Sequence, residues 1–382
     1  MNKYRLIYFT LLSAIVAACQ KSPVEDEETS RGCEFVQEFV NTSVIIESPT
    51  TWTADKVYVF ESTAIEVKAE LTIEPGTVMK FSKSAIDVRP GAGGKIIANG
   101  TADKHIVFTS YADGSHCGNT LKGEGTAQPE KGDWGGIYID GGNNHSFTYC
   151  DFLYAGGNFS RAHSMAVIID SRAGDAFTFD HCTFAHTYSS RSPGTDVSQY
   201  AFSANFIVDK PDPNNSKFTN NVFYDNDKPI SVNPYFPVDP SNKFYNPADP
   251  SQTNARNFIH MLGLNHQYGD VTWGYTEVPY SITGFFHGPK ESKHTITIGP
   301  NVVVKFLGSG AGISGYPDTR LIDLHATAIM TSLKDDAHGG DSNGDGAATK
   351  PEAGDWLGFE LRVPPPGKKV WMAGSNILYT TH

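Results

Sequence analysis

One stretch of this chain is written twice, and that duplication restricts the fold more than any other feature of its 382 residues. The first copy runs Leu71-Thr-Ile-Glu-Pro-Gly-Thr-Val-Met-Lys-Phe81 and ends at Gly132-Asp-Trp-Gly-Gly136. The second runs Ile296-Thr-Ile-Gly-Pro-Asn-Val-Val-Val-Lys-Phe306 and ends at Gly354-Asp-Trp-Leu-Gly358. The separation is 225 residues from Phe81 to Phe306, and 222 both from Thr109-Ser110 to Thr331-Ser332 and from Trp134 to Trp356. Trp52 and Trp273 extend the match upstream at 221. Repeats of this kind mark stacked architectures, in which each unit buries its apolar face only against a neighbour.

The units are built of short strands. Val57-Tyr-Val-Phe60, Ile65-Glu-Val67, Leu71-Thr-Ile73, Val78-Met-Lys-Phe81, Ile86-Asp-Val88, Lys95-Ile-Ile97 and His105-Ile-Val-Phe108 are brief runs, many of them alternating apolar with polar residues. That period of two is the strand signature. Glu74-Pro-Gly76 and Arg89-Pro-Gly91 separate them, with Pro presetting φ and Gly supplying a positive φ. Strands this short do not make an independent sheet, but stacked coil on coil each pairs above and below at about 4.8 Å. The predicted fold class is all-β, a parallel β-helix with long loops and an internal duplication; a sandwich of short strands is the competing arrangement. The copies lie near 52–155 and 273–382, with middle coils and loops over 156–272.

Read together, Leu71 to Phe81, Ile97-Ala-Asn-Gly-Thr-Ala102, Ile106-Val-Phe-Thr-Ser110 and Gly132-Asp-Trp-Gly-Gly-Ile137 resemble the right-handed parallel β-helix lipoproteins of Bacteroidota, in the pectin-lyase-like superfamily. The resemblance covers most of 52–382. The N-terminus agrees with it. Lys3 and Arg5 precede an apolar segment, Leu6 to Ala18, that is too short to span a bilayer and reads as a secretory leader. Val16-Ala-Ala18 before Cys19 resembles a lipobox, which makes Cys19 the expected acylated residue and a bacterial outer membrane the expected location. Several acyl chains give stable anchoring where one is marginal. Residues 1–18 are then a signal peptide, 19–45 a lipidated, acidic tether ending in an amphipathic cap (Cys33 to Val40), and 46–382 the solenoid.

A formal net charge of −12 argues against nucleic acid and anionic lipid headgroups as partners, because both require clustered Lys and Arg. Three rungs share one spacing: Phe147-x-x-Cys150-x-Phe152, Phe179-x-x-Cys182-x-Phe184 and Phe218-x-x-Asn221-x-Phe223. Stacked core aromatics are expected, with Cys150 and Cys182 neighbouring either as free thiols or as a disulfide. Cys33 and Cys117 remain as a second pair open to bonding in an exported protein. Between Asp225 and Asp270 the chain is rich in Pro, Asn and Asp, so projecting loops are expected there, with Tyr235, Phe236 and Tyr245 either stacking on sugar rings or pinning the loops.

The sharpest local motif is Asp341-Ser-Asn343-Gly-Asp345-Gly-Ala347-Ala-Thr349-Lys-Pro-Glu352, which fits the calcium loop of the EF-hand, although strands replace its helices. Ca²⁺ takes six to eight oxygens. The side chains of Asp341, Asn343, Asp345, Thr349 and Glu352 and the carbonyl of Ala347 are the expected ligands, with Gly346 making the sharp turn. The aligned positions of the first copy, Asn119, Leu121, Gly123 and Glu130, lack most of these oxygens.

The superfamily includes pectate lyases and polygalacturonases, but fold alone does not carry an activity. The polygalacturonase elements Asn-Thr-Asp, Gly-His-Gly and Arg-x-Lys do not occur in the sequence. The residues nearest to a catalytic cluster are Arg161, His163, Asp170, Arg172, His181 and His186, with Asp170, Arg172 and His186 the first candidates. The preferred expectation is a non-catalytic, lipid-anchored surface protein whose rod presents loops to glycan or protein. The alternatives are a polysaccharide lyase or hydrolase and a structural spacer in an outer-membrane assembly. The final coil ends after a strand at Tyr379, which leaves three endings: a partner covers it, the last residues fold over it, or the reading frame is short.

Overall fold

In the computed structural model the short apolar runs are strands of a solenoid. The structure describes residues 36–40, 43–89, 93–118, 128–141, 144–159, 165–169, 176–188, 200–204, 216–234, 236, 238–261, 270–287, 295–315, 322–363 and 368–382. Among these residues no helix occurs. One coil illustrates the construction. Lys56–Glu61 lies in a first sheet, Ala64–Val67 in a second and Glu70–Ile73 in a third; Val78–Ser82 then returns to the first sheet and pairs in parallel with Lys56–Glu61. The first sheet stacks seven strands from Val36–Val40 to Val222–Tyr224, and the third stacks six from Thr50–Trp52 to Lys217–Thr219. The second runs on from Val44–Ile46 to Lys368–Met372. This is an all-β, right-handed parallel β-helix.

The alternation dictates what faces the interior. Leu71 and Ile73 are buried while Glu70 is exposed, and every strand of this kind contributes to one continuous core. Phe152, Phe184 and Phe223 stack at 4.9 and 4.8 Å between centroids, and Phe147 stacks on Phe179 at 4.8 Å. Phe218 leaves its column. It is tilted 56° from Phe179, because Phe202 and Phe236 crowd it at 4.8 and 5.1 Å.

Positions at the corners form columns of residues with positive φ: Tyr149, His181 and Asn220 on one side of the first sheet, Tyr154, His186 and Asp225 on the other. Behind them run two ladders of buried asparagine. Asn221 accepts from the Cys182 amide at 3.0 Å and donates to the Phe179 carbonyl and to Asn242. Asn226 does the same with Thr187, Phe184 and Asn254. Each ladder satisfies backbone groups that a tight buried corner would otherwise leave unpaired.

The two copies do not stack on equivalent sheets. Lys56–Glu61, Val78–Ser82 and Ile106–Ser110 belong to the first sheet. Their counterparts, Tyr280–His287, Val303–Gly315 and Ile329–Ser332, continue the second: Ile259 pairs with Tyr280, Tyr280 with Val304, and Val304 with Met330. A bulge between Thr283 and Phe285 starts a new ladder through Gly312 and Gly358. The solenoid therefore shifts by one strand at the junction of middle coils and second copy.

Both ends of the solenoid are covered. Val36–Val40, assigned from sequence to the tether and cap, is a parallel strand paired with Lys56–Phe60. At the other end, the fold-back is the ending adopted. Lys368–Met372 returns antiparallel on Gly358–Val363, Trp371 stacks on His382 at 4.3 Å, and Ile377 and Thr380 bridge to Met330 and Trp356.

Candidate functional site

The duplicated strand carries an outward lysine, and in both copies that lysine is buried beneath the loop that follows the next strand. Lys80 donates to the carbonyls of Asp113 and Gly118. Lys305 donates to the carbonyl of Gly340 at 2.5 Å. Burial pushes each ammonium down to about 8, against the attraction of Asp113 for Lys80 and of Asp335, Asp336 and Asp341 for Lys305. The Thr-Asp-His clusters of the two loops repeat each other. Asp113 Oδ2 accepts from Thr109 at 2.6 Å and His116 Nδ1 at 2.8 Å; Asp335 Oδ2 accepts from Thr331 at 2.6 Å and His338 Nδ1 at 2.7 Å. Burial alone would push the Asp113 carboxyl up, but hydrogen bonds from His116, Ser115 and Thr109 hold it well below the usual carboxylate range.

Each loop then closes on a buried tryptophan. Ser110 and the Glu130 amide donate to Asp133, and Ser332 and the Glu352 amide to Asp355. Trp134 stacks on Phe81 at 4.5 Å and donates to the Leu153 carbonyl; Trp356 stacks on Phe306 at 3.9 Å and donates to that of Leu378. The glycine after Trp134-Gly135 is required. Gly136 has φ +86°, and a Cβ there would lie 1.9 Å from the Met165 carbonyl oxygen. We refer to these two lysine-anchored loops as straps. Sequence reading missed the lysines and the Asp-His pairs, although the identical Thr-Ser-x-x-Asp-x-x-His spacing at 109–116 and 331–338 is a signal that finds them.

The second strap carries the acidic motif. Asp341 accepts from the amides of Gly344 and Gly346, both at 2.7 Å. Asn343 donates to Asp345 Oδ2 and Thr349 Oγ1, and Thr349 donates to the same Asp345 oxygen. Gly346 makes the expected turn with φ +72°. Asp345 Oδ1 and Asp336 Oδ1 are shielded from solvent and have no hydrogen-bond partner. Burial, Asp341, Asp345 and Asp335 push the Asp336 carboxyl up, with Lys305 opposing them, while the bond from Thr349 leads those that lower Asp345. Ala347 and Glu352 are exposed, and Glu352 holds the same turn before the tryptophan that Glu130 holds in the first copy. Among the described residues no three His, Cys, Asp or Glu side chains are gathered in metal-holding geometry.

The other candidates separate. Cys19, Cys33, Arg161, His163, Asp170, Arg172 and Tyr235 lie outside the described residues. His186 bonds Asp225 at 2.6 Å and stacks on Tyr154, whereas His181 contacts Asp180 at 3.1 Å and stacks on Tyr149. The two histidines occupy different corner columns and do not converge. Of the two roles open to Phe236, stacking on sugar or pinning its loop, the structure shows the second: it is 2 % exposed and stacks on Phe177, because its ring fills the space beside Phe218. Tyr245 is half-buried on a short antiparallel hairpin, Tyr245–Asn246 with Asp249–Thr253. Cys150 and Cys182 are free buried thiols, each donating to backbone carbonyls; Cys117 is disulfide-bonded to a partner outside the described residues.

A different aromatic pair reaches solvent. Phe159 is 43 % and Tyr188 41 % exposed, on one corner of the middle coils. They lie over a glycine floor: a Cβ on Gly157 would meet the Phe159 ring at 2.3 Å, and one on Gly132 would meet Tyr188 at 3.3 Å. Beside them Lys131 donates to Asp225 at 2.9 Å and approaches Asp227 at 3.8 Å. Nothing in the spacing of Phe159 and Tyr188 marks them in sequence, because the coils that bring them together differ in length.

A family model described as a pectate-lyase like beta helix domain matches residues 44–149. No curated protein and no solved structure matches the chain. The family match and the stacked parallel sheets support the pectin-lyase-like superfamily for this solenoid.

Proposed function

We propose that the chain is a lipid-anchored rod on the bacterial outer membrane that binds glycan without cleaving it, through the corner bearing Phe159 and Tyr188. The observation that carries the reading is this pair of exposed rings on a glycine floor, flanked by the hydrogen-bonding groups of Lys131, Asp225 and Asp227. Flat apolar rings beside a few oriented polar groups are the usual means of holding an amphipathic ligand. The leader and Cys19 support the anchor. The reading extends to Ca²⁺ at the second strap, supported by the Asp-x-Asn-x-Asp-Gly turn in which Asp341, Asn343, Asp345 and Thr349 lie together and by the Asp345 and Asp336 Oδ1 atoms, which have no hydrogen-bond partner among the described residues. The ion would take oxygens from these residues, with Ala347, Glu352 and Asp336 completing the shell, and would fix the strap rather than take part in chemistry.

The test is retention of the full chain on immobilised acidic and neutral polysaccharides, with calcium present, while unsaturated products and new reducing ends are followed. Retention without turnover is expected, with Phe159→Ala and Tyr188→Ala each weakening it about tenfold. Product formation would replace the binding reading with a lyase or hydrolase. Retention untouched by both substitutions would remove this corner from the function.

A further inference from the structure

At the junction where the solenoid shifts by one strand, a small, partly open cavity lies outside the second sheet. Its floor is the buried ring of His260, whose two nitrogens meet the hydroxyls of Ser231 at 3.1 Å and Thr283 at 3.2 Å. Burial pushes that imidazole down to about 3, with Lys228 adding to the push, so the floor is neutral and already hydrogen-bonded. Tyr200 stacks on His260 at 5.1 Å, and the Lys228 ammonium sits 4.7 Å from the Tyr200 ring centre. Phe258, Leu307 and Leu333 add apolar wall.

One charged side chain in the lining, half-buried, has no protein partner among the described residues. Among the described residues, the guanidinium of Arg256 makes no hydrogen bond or ion pair, while its backbone amide is fixed by the Asp227 carbonyl at 3.0 Å. The stem of Arg256 is held from the other side by the second strap: a Cβ on Gly344 would lie 2.8 Å from its Cγ, and Asn343 forms part of the rim. An arginine in this setting is a fork of donors without an acceptor, and carboxylates match that fork with two parallel bonds.

We propose that this junction cavity binds a small monocarboxylate with a flat or apolar body, its carboxylate on Arg256 and its body against Phe258, Leu307 and Leu333. A phosphate dianion fits less well. It calls for several converging donors, whereas Lys228 is 2 % exposed over Tyr200 and the hydroxyls of Ser231 and Thr283 are engaged by His260. The same chemistry is presented by a free small acid and by the C-terminus of a peptide ending in an apolar residue.

The probe is benzoate, titrated into the full chain by saturation-transfer NMR and calorimetry. The expected result is saturable binding with a Kd of ~1 mM, as suits a ligand of this size, with benzamide at least about tenfold weaker and inorganic phosphate unable to compete. Arg256→Gln should weaken benzoate about tenfold and leave the melting temperature unchanged, since no partner is lost; Arg256→Lys should fall between. A pentapeptide ending in phenylalanine, as free acid and as amide, separates the two sources: tighter binding of the free acid than of benzoate assigns a peptide terminus, weaker binding a free acid. No saturation by ~20 mM benzoate, equal binding to Arg256→Gln, or displacement by phosphate would overturn the proposal.

Discussion

The two straps are the same device with different fastenings. In both, a buried lysine, a Thr-Asp-His cluster and a stacked tryptophan hold the loop to the outer face of a strand. The first strap then carries Cys117, which is disulfide-bonded; the aligned residue of the second is Gly339, followed at once by the acidic motif. The comparison separates what the coil needs from what each loop has added. The lysine and tryptophan belong to the coil, because both copies keep them. The covalent staple and the acidic turn belong to one loop each, and the second loop is also the one that forms the rim of the junction cavity.

The largest effect should come from the shared element. Lys305→Met leaves the Gly340 carbonyl without its charged donor and removes the cation that attracts Asp335, Asp336 and Asp341, and should cost about 3 kcal/mol, the upper end for a hydrogen bond to a charged group. Lys80→Met faces only Asp113 and should cost less. Urea denaturation checks both, and equal losses would break the argument from charge. The pH dependence sharpens it. Each folded lysine titrates at about 8, below its ordinary ~10.4, so between these values the unfolded chain binds more protons and stability should rise with pH. The methionine variants should lose that rise.

The staple comes next. Cys117→Ser should cost about 2–4 kcal/mol and speed hydrogen exchange in the first strap alone. Exchange that rose equally in both straps would mean they do not fold independently. The smallest effect concerns the second fastening. With calcium at about 100 times its Kd, the chain should gain roughly 2.7 kcal/mol. Asp345→Ala should remove that gain, and in chelator should cost only the bonds it accepts from Asn343 and Thr349, a loss well short of the calcium-dependent one. An equal loss with and without calcium would show that the acidic turn is a hydrogen-bonded loop and no more.

Much of the scaffold was legible in the sequence, and the sites less so. The Phe-x-x-Cys-x-Phe spacing foretold the stacks of Phe147 on Phe179 and Phe152 on Phe184, since equal spacing within a coil puts equal positions above one another. It failed at Phe218, where Phe236 enters the core from a long loop. The same loop made Phe236 look like a binding residue, because composition marks a loop but not which of its side chains turns inward. Arg256, Phe159 and Tyr188 carry no motif; their settings depend on what a neighbouring coil places beside them.

Period-two runs, turn residues and a duplicated unit were enough to determine an all-β stack with its aromatic core and its buried tryptophans. These follow from local geometry repeated at constant spacing, which a linear sequence records directly. The tertiary structure alone decided that the second copy continues a different sheet, that both lysines are roofed by straps, and that Arg256 faces a cavity without a partner. Those outcomes depend on loop lengths summed over many coils, and so on which distant residues arrive side by side.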